Sequence, residues 1–109
     1  MQNEARNAMN TTKWKEIFRL FYDTYECGQG KTICWRTCTT NGFQSGWDAT
    51  WSHFLAAGDS GRDIVSLQIR PPQELLAQVR KDLRALHLPG EEKDGVITIW
   101  GYCQDVDWL

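Results

Sequence analysis

The sequence predicts an α+β fold in the order α-β-β-β-α-β, with a four-stranded, mostly antiparallel sheet and two helices packed on one of its faces. Three observations predict it. Two stretches repeat apolar residues at helical spacing. Four others alternate, or are rich in β-branched and aromatic residues. Gly, Pro and Asn punctuate the joins. Two amphipathic helices need one apolar sheet face to bury their stripes, and three successive strands with short connections imply a meander.

The first helix is capped by Thr11 or Thr12. Its stripe is Trp14, Ile17, Phe18, Phe21 and Tyr25, and Gly28 is its stop. Gly28-Gln29-Gly30-Lys31-Thr32 looks like the tail of a phosphate-binding loop. It fails as one, because Tyr25 stands where a glycine is required and a helix precedes it where a strand should. Thr32 to Thr40 alternates as a strand, with Ile33, Trp35 and Thr37 on one side and Cys34, Arg36 and Cys38 on the other. Asn41-Gly42 turns the chain into a returning strand, Phe43 to Leu55, with Gly46 as a bulge or kink.

The middle of that strand, Gly46 to Phe54, organises the chain. Period two puts Trp47, Ala49, Trp51, His53 and Leu55 on one face. Helical spacing also aligns Trp47, Trp51, Phe54 and Leu55, but the aromatic content and the flanking turn residues favour a strand. Asp63 to Arg70 is the cleanest strand: Val65, Leu67 and Ile69 point inward, Ser66, Gln68 and Arg70 outward. Pro71-Pro72 opens the second helix, whose stripe is Leu75, Leu76, Val79, Leu83 and Leu86, and Leu88-Pro89-Gly90 stops it. Glu91 to Gly95 reads as a polar turn and Val96 to Cys103 as the last strand, with Trp100 on the Val96/Thr98 side and Ile97 and Ile99 opposite. Residues 1–11 read as a flexible lead-in and 12–109 as a single α+β domain.

A chain of 109 residues suffices for one modest core. Its net charge of −2 argues against a nucleic-acid footprint. The charge is uneven: residues 90–109 carry five carboxylates against Lys93 alone, an acidic end that would steer a basic partner. There is no apolar N-terminal run and no stretch approaching the ~18 residues of a membrane span, so a cytoplasmic protein with reduced cysteines is expected.

Reaction chemistry has little to stand on. No Cys-x-x-Cys occurs among Cys27, Cys34, Cys38 and Cys103. Cys34 and Cys38 share a strand face but lie about 13 Å apart, too far for one disulfide or one zinc. The cysteines are expected to be free thiols, and no cofactor or metal is expected. Asp48 or a cysteine is the available partner for His53, but no motif names a reaction class. Six tryptophans are an excess for this length. Most are expected in the core, and one or two on the surface would have the composition of a protein-binding hot spot.

Several ordered motifs carry a resemblance over about residues 12–108. They are Lys13-Trp14-Lys15-Glu16, Trp35-Arg36-Thr37, Trp47-Asp48-x-x-Trp51-x-His53-Phe54, Asp63-Ile64, His87-Leu88-Pro89-Gly90-Glu91 and Gly101-Tyr102. The set resembles an uncharacterised family of small bacterial proteins, similar in style to the immunity partners of polymorphic toxins. The resemblance implies no catalytic residues. The expectation is therefore a cytosolic protein-binding module, not an enzyme, that neutralises a cognate toxin by occluding it. The partner-binding residues expected are Asp48, Trp51, Glu91, Glu92, Asp94, Asp105, Asp107 and Trp108, facing a protein with a basic surface and neither nucleic acid nor membrane. The alternatives are a phage- or plasmid-encoded inhibitor of a host defence complex, or a small metal-binding enzyme using His53, Asp48 and a cysteine.

Overall fold

In the computed structural model, which describes residues 6, 7, 9, 11–54 and 63–103, the apolar stripes settle where their spacing puts them. The elements in chain order are β1 (Arg6–Asn7), α1 (Thr11–Arg19) continuing as a π-helical segment (Leu20–Cys27), β2 (Cys34–Thr39), a 3₁₀ turn (Trp51–His53), β3 (Ile64–Arg70), α2 (Gln73–Ala85), β4 (Gly90–Lys93), β5 (Val96–Trp100) and β6 (Tyr102–Cys103). Strands β2, β3, β5 and β4 form one antiparallel sheet in that order, and β1 pairs with β6 in a small second ribbon. The fold is α+β, with two helices and a four-stranded antiparallel sheet.

One core joins the layers. Trp14, Ile17, Phe21 and Tyr25 from the first helix and Leu75, Val79 and Leu83 from α2 meet Trp35, Leu67, Ile69, Ile97 and Ile99 from the sheet. Both helices therefore lie on the same sheet face. Register explains the selection. Trp35 opposes Ile69, which opposes Ile97, and Leu67 opposes Ile99, so alternate residues of three strands build one apolar surface. The Tyr25 hydroxyl donates to Asp82 Oδ2 at 2.6 Å and ties the two helices together. Burial, and then the bond to Asp82, push the Tyr25 phenol well above its ordinary range.

Helix ends are closed by tertiary contacts. His87 has φ 55°, the left-handed conformation that ends a helix, and the Lys13 ammonium donates to its carbonyl at 2.6 Å. This places a cation from α1 at the negative end of α2. In the π-helical segment residues five apart come into line. A Cβ on Gly28 would stand 2.7 Å from the carbonyl oxygen of Asp23, so that position accepts only glycine without a shift.

Four expectations are corrected. The returning strand is not one: after Asn41-Gly42 the described residues form only isolated bridges to β2, Gln44 with Cys38 and Asp48 with Trp35, and the chain then turns in 3₁₀ form at Trp51–His53. The fourth strand of the sheet is β4, inside the stretch read as a polar turn. Gly90-Glu91-Glu92-Lys93 has no apolar alternation because β4 is an edge strand. Asp94 and Gly95, both at positive φ, make the tight turn into β5. In β3 the pairing with β2 slips at Val65, so Ile64 takes the buried place and Val65 is only half-buried. Part of the lead-in belongs to the fold: Arg6–Asn7 pairs with Tyr102–Cys103, and Met9 is buried.

Candidate functional site

The sheet has a second face, which neither helix covers. The same register that collects the core turns Cys34, Arg36 and Cys38 of β2 outward, with Ser66, Gln68 and Arg70 of β3 opposite them. Thr98 and Trp100 of β5 and Glu91 and Lys93 of β4 complete the face. One row crosses all four strands: Arg36, Gln68, Thr98, Glu91. A cation stands at one end of it and an anion at the other, three strand spacings or roughly 14 Å away. The Arg36 Nε–H donates to Gln68 Oε1 at 2.5 Å, which orients the guanidinium along the row.

The segment 43–54 then adds an aromatic ring to one side of that face and two more to the core. Thr37 N–H donates to Ser45 Oγ at 2.9 Å, and Ser45 N–H donates to the Thr37 carbonyl at 2.9 Å. Trp35 and Asp48 exchange both backbone bonds at 2.8 Å. Between these two points the segment has one residue more than β2, so it is bulged and Gly46-Trp47 stands out from it. Trp47 falls across the outer face, with the guanidinium carbons of Arg36 and Arg70 at 4.5 and 4.3 Å from its ring centroid. Both contacts follow from position, since Arg36 and Arg70 are diagonal neighbours across the β2–β3 ladder.

Trp51 goes the other way. It is 1% exposed, its indole N–H donates to the Ile33 carbonyl at 2.9 Å, and its ring stacks on Phe21 at 4.4 Å between centroids. Phe54 and Trp35 complete the cluster around it. Its backbone N–H donates to Glu26 Oε1 at 2.8 Å, which fixes the segment against the π-helical turn. The expectation that Trp51 meets a partner is therefore corrected: it is a core residue, held inside by area and by a satisfied indole N–H.

Asp48 sits at the join. Its Oδ1 accepts from the Thr50 N–H at 2.7 Å, closing a local turn, and its Oδ2 lies 2.8 Å from His53 Nδ1. Partial burial works to raise the Asp48 pKa. The bonds from Thr50 and His53, with the charge of His53, outweigh that and hold it below the usual aspartate range. The pair is open to solvent, the His53 side chain 64% and that of Asp48 32% exposed. A histidine held by a carboxylate through Nδ1 can take up a proton at Nε2. Among the described residues no hydroxyl or thiol is bonded to this imidazole, and no three His, Cys, Asp or Glu side chains are grouped to hold a metal.

The remaining expected site residues separate. Glu91 and Asp94 are exposed on the β4–β5 hairpin. Glu92 turns to the helix side, where both its oxygens meet the Arg80 guanidinium, the second at 2.8 Å. The bond to Arg80 lowers the Glu92 pKa more than partial burial raises it. Asp105, Asp107 and Trp108 lie outside the described residues. Nothing in the local pattern joins Arg70 to Trp47. Strand alternation points Arg36 and Arg70 outward, but period two puts Trp47 on the face of Trp51, and only the bulge separates them.

No helix among the described residues is long and apolar enough to cross a membrane. No curated protein and no solved structure matches the chain. A family model does, over residues 1–106, and the chain belongs to that family, DUF6678, a family of unknown function.

Proposed function

We propose that this protein is a binding module that acts by covering a surface of another protein, in the manner of an immunity protein that occludes a toxin in the cytoplasm. The observation that carries the proposal is the sheet face away from both helices, with Trp47 gripped by Arg36 and Arg70 at one side and Glu91 and Asp94 exposed at the other. Tryptophan and arginine are, with tyrosine, the residues most enriched in the centres of protein interfaces, and a row with Arg36 at one end and Glu91 at the other helps fix the orientation of what docks on it. The immunity reading draws further support from a resemblance to such proteins in size and style. In this arrangement Glu91 and Asp94 meet a basic rim on the effector, and Trp47 packs against it at the opposite side of the contact.

Co-expression with the product of the adjacent reading frame tests the proposal. The expected result is a complex that survives purification and restores growth when that product is toxic. Glu91→Gln with Asp94→Asn should slow association and weaken its salt dependence, leaving the fold unchanged. Absence of both complex and rescue would overturn the immunity reading.

A further inference from the structure

We propose that the corner of the outer face built by Arg36, Trp47 and Arg70 is a receptor for carboxylate side chains, and that the segment it takes from a partner is acidic. This rests on the binding-module reading and names the chemistry of one end of its surface. Two guanidinium groups lie within 4.5 Å of one indole centroid. Like charges so placed repel, and the ring quadrupole relieves this only in part. Neither arginine takes part in an ion pair among the described residues, where the only ion pairs are His53–Asp48 and Arg80–Glu92. Arg36 spends its Nε–H on Gln68, which leaves its terminal amino groups for a ligand, and Arg70 is exposed with Trp47 as its contact.

Geometry adds to charge. Arginine presents a rigid planar fork that matches a carboxylate with two parallel bonds. Here the indole and Gln68 hold the forks in place before anything binds, which removes part of the ordering cost of association. A carboxylate is the missing partner of this corner by charge complementarity.

The alternative polyanion is a nucleic acid, and the surroundings disfavour it. The chain carries a net charge of −2, Asp48 adjoins Trp47, and Glu91 and Asp94 lie at the far edge of the sheet. A phosphate backbone would run into these acids, whereas a short acidic peptide can place one or two carboxylates at the corner alone.

The test is selection of a random peptide display library on the intact chain, followed by NMR titration of the Trp47 indole N–H with the enriched peptides. The expected result is enrichment of Asp- and Glu-containing sequences, with the Trp47 signal moving on binding. Arg36→Gln or Arg70→Gln should weaken binding at least tenfold. Arg36→Lys should weaken it comparably, because the charge stays and the fork is lost. Arg80→Gln, on the helix side, should leave it unchanged. Acidic peptides that bind equally well to the Arg36→Gln and Arg70→Gln variants would overturn the assignment. So would a response of these arginines to inorganic phosphate or a single-stranded oligonucleotide but not to acidic peptides. Enrichment of basic peptides that depend on Glu91 and Asp94 would overturn this corner while leaving the binding module standing. A library that yields nothing would count against both.

Discussion

The inner and outer faces of the sheet both use tryptophan, and they use it differently. On the inner side Trp14, Trp35 and Trp51 are almost fully buried against Phe21, Tyr25 and Phe54, and the Trp51 indole N–H has a backbone acceptor. On the outer side Trp47 is half-exposed, and two arginines hold its ring. The same side chain is thus a stability element in one place and a surface platform in the other. Four positions and one bulge separate Trp47 from Trp51. What distinguishes them is what surrounds the ring: apolar area and a carbonyl for one, charge and solvent for the other.

Substitution sharpens the contrast most directly. Trp51→Ala should cost about 3–5 kcal/mol, the range for large aromatic truncations in a core. Trp47→Ala should cost about 1–2 kcal/mol, from two cation–π contacts of about 0.5–1 kcal/mol each. Denaturant titration of both variants measures it. Similar losses for the two would mean that the outer ring is as structural as the inner one.

A smaller effect is expected where the faces are pinned to each other. A Cβ on Gly101 would stand 1.9 Å from the Ile64 carbonyl oxygen and 3.3 Å from the Trp14 ring. The Gly101 N–H donates to the neighbouring Val65 carbonyl at 2.7 Å, so the backbones cannot part without losing that bond. Gly101→Ala should cost about 1–3 kcal/mol as overpacking. A thermal melt close to that of the unmodified chain would show that β6 can move away from β3.

The smallest effect is electrostatic and belongs to the helix side. Glu92 has its folded pKa lowered from 4.5 by Arg80. Its contribution is therefore complete above the unfolded pKa and is lost as pH falls through the lower, folded one. Stability measured from pH 6 down to 3 should decline less steeply in Glu92→Gln. The difference should be about 0.2–1 kcal/mol, as for partly exposed pairs. An unchanged slope would assign the acid sensitivity elsewhere, for example to Asp48, whose pKa is lowered in the same sense.

Much of the architecture could be read without coordinates. Trp14, Ile17, Phe21 and Tyr25, then Leu75, Val79 and Leu83, and the alternation of Leu67 and Ile69 against Ser66, Gln68 and Arg70, all identify buried faces correctly. Each belongs to an element with one neighbour on one side, so its periodicity reports burial without ambiguity. The site is partly legible: strand alternation points Arg36 and Arg70 outward, and of the two partners open to His53, Asp48 or a cysteine, the structure has Asp48 at 2.8 Å.

By itself, then, the sequence determined the α+β class, the two helical stripes and the outward arginines, because repeating local patterns encode them. Tertiary structure alone decided the course of residues 43–54, the pairing of β4 and the separation of Trp47 from Trp51. Residues 43–54 pack against β2, the π-helical turn and the outer face at once, and a segment with three neighbours has no single period. The edge strand β4 takes its conformation from hydrogen bonds to β5, and Gly90-Glu91-Glu92-Lys93 carries no apolar signal of them.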